Sequence, residues 1–161
     1  MKKAVSIVLF FVIISLTCFL FSCQKTGRET QNVGYEDKEY SNNIESIEYY
    51  FYEIKNIEKV YFKSKLLGDY DHDRSIGPSS TQVAGFICIS GDEKELLMNE
   101  YEFEKKEPVF PAGISPDVTG YDKFDWRWNY EFERKIEKGN LAGDMFLDIN
   151  NGVIFFDVGL N

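Results

Sequence analysis

The chain has 161 residues, with 18 basic and 27 acidic side chains and a net charge of −9 at neutral pH. That length fits one domain. A surface this acidic is repelled by nucleic acid and by anionic lipid headgroups, which excludes nucleic-acid binding and leaves a basic protein, a glycan or a cation as conceivable partners.

Met1-Lys2-Lys3 opens the chain with positive charge, and an apolar run follows from Ala4 to Phe21, broken only by Ser6, Ser15 and Thr17. A basic start, an apolar middle and a small residue before a cut site form the pattern of a secretory signal over residues 1–22. The run ends in Leu20-Phe21-Ser22-Cys23. These residues resemble a lipobox, the motif of bacterial lipoproteins, with Leu20 as the large aliphatic residue, Ser22 before the cut and Cys23 as the modified residue. The resemblance implies cleavage before Cys23, a thioether-linked diacylglyceryl group on its sulfur and often a further acyl chain on its amine. Two or three chains anchor stably, at about 0.8 kcal/mol per buried methylene. The other reading is an uncleaved membrane anchor, for which the apolar run is near the minimum length. Both readings place the remaining chain outside the cytoplasm, on the cell membrane or the outer membrane. Loss of Lys2 and Lys3 with the leader leaves 16 basic and 27 acidic residues, a net charge of −11.

Cysteine usage agrees with this reading. Cys18 leaves with the leader and Cys23 is acylated, so Cys88 stands alone and forms no intramolecular disulfide. It lies in the apolar run Val83–Ile89 and reads as a small buried hydrophobe rather than a nucleophile.

Residues 24–40 are polar and mixed in charge, the composition of a flexible tether. Ser41 or Asn42 caps a helix expected over 43–56, with Glu45 in the box position and Ile44, Ile47, Phe51 and Ile54 on one face. Val60, Phe62 and Leu66 alternate with Tyr61, Lys63 and Lys65, which predicts a half-buried strand. The run 81–90, apolar on both faces, predicts a central strand. Asp92, with Glu95 three residues on, marks a second, short helix through Leu96, Leu97 and Tyr101. Residues 102–107 form a charged, solvated stretch.

Residues 105–123 carry Pro108, Pro111 and Pro116 with Gly113 and Gly120. Long irregular segments in compact domains are often functional, so a ligand or partner site is sought here first. Phe124, Trp126 and Trp128 alternate as a strand, and Asn129 then caps a helix expected over 130–138. At the C-terminus Asn151-Gly152 fits a two-residue turn, pairing Ile149 with Ile154, Leu147 with Phe156 and Met145 with Val158. The fold class is therefore α+β, a small antiparallel sheet closed by a C-terminal hairpin and covered by two or three helices, with one domain over 41–161. This body resembles small bacterial envelope proteins with a closing aromatic-rich hairpin, a likeness that implies no activity.

Three constellations could carry chemistry. Asp69, Asp71 and Asp73 alternate around His72, the single histidine, and could wrap a hard cation. Arg74 and Ser80 stand where a calcium loop needs glycine and a bidentate glutamate, so a solvated turn explains the run equally. Phe110, Tyr121, Trp126 and Trp128 could form an aromatic platform for a sugar or peptide, or could pack in the core. Paired carboxylates or His72 could serve a small hydrolase, although no Gly-x-Ser-x-Gly elbow, His-Glu-x-x-His, Cys-x-x-Cys or phosphate-cradling loop is present. Ser79 and Ser80 follow a Gly-Pro turn, which accounts for them without catalysis. No cofactor is expected. The functional expectation is a noncatalytic, membrane-anchored binding or interaction module; the alternatives are that hydrolase or an immunity-type inhibitor of a basic partner.

Overall fold

The computed structural model describes residues 35–67, 80–134 and 141–160. Cys23, the Asp69–Asp73 run with His72, and the second half of the helix expected over 130–138 lie outside the described residues. The fold is α+β, as the patterning requires. Six strands form one antiparallel sheet: β1 (Ile57–Leu67), β2 (Ser80–Ile89), β3 (Glu104–Lys105), β4 (Trp126–Trp128), β5 (Leu141–Asp148) and β6 (Val153–Leu160), in spatial order β1-β2-β6-β5-β4-β3. Among the described residues three helices accompany it: α1 (Ile44–Tyr50), α2 (Gly91–Glu100) and α3 (Tyr130–Glu133). None of the described helices is long and apolar enough to cross a membrane.

The sheet buries both faces. On the first, Val83, Ile87 and Ile89 of β2 join Met145 and Leu147 of β5 and Ile154, Phe156 and Val158 of β6 beneath Ile47, Leu97 and Phe132 from the three helices. On the second, Ala84, Phe86 and Cys88 meet Phe146, Val153 and Phe155. Among the described residues no helix of eight or more residues covers this face. Its lid is irregular chain: Tyr35 and Tyr40 from one side, Phe110, Ile114 and Val118 from the proline-rich segment on the other. A 3-10 turn, Pro116–Thr119, gives that segment local order. The alternation of strand residues thus sends two apolar sets to opposite faces, and both need cover.

Local signals set the helix ends, with some revision of the expected boundaries. Asn43, rather than Ser41 or Asn42, caps α1: its Oδ1 accepts from the Ser46 amide at 3.2 Å. The helix stops at Tyr50 instead of reaching residue 56, and Phe51 and Ile54 enter the core from the turn that follows, where the Ile54 amide donates to the Phe51 carbonyl. Ser90, not Asp92, caps α2 by accepting from the Glu93 amide at 3.2 Å. Glu93 is itself buried, and its carboxylate accepts from the Lys55 amide and the Asn56 side chain. Asn129 caps α3 as expected, accepting from the Phe132 amide at 2.9 Å.

The C-terminal hairpin forms with a different register. Observed partners are Asp148 with Val153, Leu147 with Ile154, Phe146 with Phe155, Met145 with Phe156, Asp144 with Asp157 and Gly143 with Val158. The loop therefore holds four residues, 149–152, rather than two. The cause is Asp148, which is fully buried and organises the turn: its carboxylate accepts from the amides of Asn150 and Asn151 at 3.3 and 3.0 Å and from the Asn151 side chain at 2.8 Å. Gly152 closes the loop at φ +68°. The shift amounts to two residues, so every side chain keeps its expected face.

Candidate functional site

The expected aromatic platform divides between core and rim. Trp126 is 3% exposed, stacks parallel to Phe124 at 5.2 Å, and meets Phe110 edge-on at 5.9 Å. Phe110 in turn packs on Phe86 and Phe155. Core packing, the second reading of this cluster, describes Trp126; Phe110 is partly buried and packs against the same core. Trp128 is half-buried; the Lys106 ammonium sits 3.8 Å over its ring and its indole N–H donates to Glu133 at 2.7 Å. Tyr121 is exposed. Among the described residues no cluster of three or more histidine, cysteine, aspartate or glutamate side chains is placed to hold a metal ion.

The structure assembles a group that the sequence did not single out. On the second face the antiparallel register builds rows across four strands. One row is Tyr61, Phe86, Phe155 and Phe146; the next is Lys63, Ala84, Asp157 and Asp144; the next is Lys65, Gln82, Gly159 and Ala142. The face therefore changes from aromatic to polar within two rows, and the aromatic half is the part beneath the proline-rich cover. In the polar half, Asp144 and Asp157 are direct cross-strand neighbours, a like-charge placement that destabilises a sheet. Asp157 accepts from the Gln82 side chain at 2.7 Å. Burial raises its carboxyl pKa, the Gln82 hydrogen bond and the Lys65 charge act in the lowering sense, and the Asp144 charge adds to the rise.

Tyr35 closes this polar half from above. The polar composition of residues 24–40 suggests a tether through Tyr40, yet Tyr35 is 1% exposed and tied down by several contacts. Its carbonyl accepts from the Lys63 ammonium at 3.1 Å, and the Lys65 ammonium lies 4.6 Å over its ring. Lys63 also lies 4.5 Å over the Tyr40 ring, and the Tyr40 hydroxyl accepts from the Ser115 amide at 2.8 Å. Ser41 then pairs with Phe62 on the β1 edge through both backbone hydrogen bonds. Gly113 makes the fit feasible: it sits at φ +81°, where side chains are disfavoured, and a Cβ there would stand 2.5 Å from the Glu36 nitrogen. Among the described residues the Tyr35 hydroxyl has no hydrogen-bond partner. Burial, and secondarily the Asp157 charge, hold its proton on well above the ordinary phenol range.

Chemically, the group offers two carboxylates, a side-chain amide and a phenol around a floor of small residues. A Cβ at Gly159 would stand 3.7 Å from the Ala142 carbonyl, an ordinary contact distance. Asp157 could have been noticed from its position on the polar face of β6, but its partner Asp144 appears only in the observed register. An apolar cleft of about 300 Å³, open to solvent, lies on the opposite face between α1 and the sheet, lined by Ile47, Tyr50, Phe62, Leu141 and Val158. It holds no titratable pair.

No protein-family model, no curated protein and no solved structure matches this chain.

Proposed function

We propose that the protein is a lipid-anchored, extracytoplasmic interaction module that recognises a basic partner at the cell envelope. The location rests on the leader and the lipobox-like Leu20–Cys23. The interaction rests on one observation above the others: Asp144 and Asp157 face each other across the sheet, although their mutual repulsion costs stability. Local choices that work against the fold mark functional positions. The acidic composition supports the same partner class by steering cations toward the domain. Only eleven residues separate Cys23 from Tyr35, a span of about 40 Å at full extension, so an anchored domain works close to its membrane.

Two measurements test this reading. Intact mass of the membrane fraction is expected to show diacylglyceryl on Cys23; a full-length, unmodified N-terminus overturns the anchor. Cross-linking of the lipidated protein in intact cells is expected to yield a basic envelope partner whose capture weakens as ionic strength rises. Salt-independent capture, or none, overturns the charge-led interaction.

A second reading draws on the same residues. A carboxyl with a raised pKa beside a second carboxyl is a pairing used for general acid–base work, and would make the domain a small hydrolase. Turnover of glycan or peptide substrates, abolished by Asp157→Asn and absent from an equally folded control, would favour it.

A further inference from the structure

Resting on the interaction reading above, we propose that Asp144, Asp157, Gln82 and Tyr35 form a receptor for one ammonium or guanidinium group, the end of a lysine or arginine side chain of the partner. Three observations converge on that chemistry. First, the two carboxylates occupy directly opposed positions on β5 and β6, and Gln82 supplies the hydrogen bond that Asp157 receives, at 2.7 Å. No described salt bridge engages Asp144 or Asp157. Second, the Tyr35 hydroxyl is buried within reach of the Asp157 charge and has no hydrogen-bond partner among the described residues. Its oxygen can accept one N–H, and an unmet buried hydroxyl is costly to keep. Third, in the row beyond the carboxylates Gly159 has no side chain and Ala142 only a methyl. The ligand's alkyl stem would lie along these small residues while the charged head meets the acceptors.

The donor set separates this cation from a metal ion. Two carboxylates with a phenol and an amide are too few anionic oxygens for calcium, which takes six to eight oxygen ligands. The Lys65 ammonium lies over the Tyr35 ring, and it opposes a divalent ion twice as strongly as a monovalent one. An ammonium or guanidinium instead gains several charge-assisted hydrogen bonds from acceptors at fixed positions. The sheet backbone and the Lys63 contact to the Tyr35 carbonyl hold those acceptors before the ligand arrives.

The test is an NMR titration of the isotopically labelled, lipidated protein in detergent with agmatine, which carries one ammonium and one guanidinium. Saturable shifts are expected at the amides of Ala84, Gly143 and Gly159. Asp144→Asn and Asp157→Asn should each weaken binding about tenfold, the change expected for loss of one charge-assisted contact. Tyr35→Phe should weaken it about threefold without lowering the melting temperature. Glu95→Gln, an exposed carboxylate on α2, should leave it unchanged. Calcium saturating the same amides at lower concentration than agmatine overturns the assignment in favour of a metal. Equal loss with Glu95→Gln overturns it in favour of diffuse charge attraction. If agmatine does not bind and a basic partner still cross-links in cells, this receptor fails and the interaction reading stands. If agmatine binds and no partner cross-links, the receptor stands and the interaction reading fails.

Discussion

The buried carboxylate of Asp148 accepts a hydrogen bond from the backbone amide of Asp125 at 2.6 Å. One side chain thus fixes the hairpin loop and fastens it to the chain entering β4. The Asn151 side chain reinforces the junction by donating to the Lys123 carbonyl at 2.7 Å. Replacing Asp148 with alanine removes the acceptor of several part-buried donors, for which about 1–3 kcal/mol each is the upper bound set by full burial. Asp148→Ala is expected to destabilise the domain by about 3 kcal/mol. Asp148→Asn, which keeps one acceptor oxygen, should lose clearly less. Urea unfolding monitored by tryptophan fluorescence measures both, and equal losses would show that the loop does not depend on the carboxylate as an acceptor.

That same residue explains what was legible in the sequence and what was not. Alternation along residues 145–158 assigns each side chain to a face, because strand periodicity is two. It cannot separate registers that differ by two, and the Asn-Gly signal favours the shorter loop. The local competitor was the carboxylate of Asp148, which can gather three backbone amides only in the longer one. The consequence reaches the candidate site. In the expected register Asp157 faces Phe146, whereas in the observed one it faces Asp144. The remaining omissions share a cause: irregular segments bury residues without periodicity. Tyr35 lies in a polar stretch, and Phe110 and Ile114 in a proline-rich one, yet all three cover the second face.

The two tryptophans should respond differently to truncation. Trp126 fills the second core, in contact with Phe110, Phe124 and Phe155. Trp126→Ala is expected to cost about 3–5 kcal/mol, the usual range for a buried aromatic. Trp128→Ala loses a half-buried ring, one indole hydrogen bond and the Lys106 contact, and should cost roughly 1–2 kcal/mol. Thermal unfolding ranks them; a larger loss for Trp128 would place the structural weight at the rim rather than in the core.

Asp157 carries a pH signature. Its folded carboxyl pKa lies above the ordinary value of 3.8, so the folded protein holds that proton where the unfolded chain has released it. Stability therefore falls as pH rises from about the ordinary value through the raised one, and the penalty is fully present above that window. Asp157→Asn removes the titration. The stability of the natural protein relative to Asp157→Asn should decline as pH rises from the ordinary value of 3.8 through the raised one, measured by denaturant unfolding at each pH. A difference that stays constant with pH would show that the pKa is not raised.

Cys88 should behave as an inert core thiol. Burial pushes its pKa up to about 11, the Lys59 charge acts in the opposite direction, and the Glu58 charge adds to the rise. The side chain faces the second core beside Val153 on the neighbouring strand. Thiolate, rather than thiol, attacks disulfide reagents, and at pH 8 a group of pKa about 11 is about one part in a thousand thiolate. Steric closure lowers the rate further. In the lipidated form proposed above Cys88 would be the single free thiol, and labelling by an aromatic disulfide should be negligible until denaturant unfolds the domain. The labelled fraction should then follow the unfolding curve obtained from tryptophan fluorescence. Rapid stoichiometric labelling of the folded protein would mean that the second face opens locally, which would also expose the Tyr35 cover to exchange.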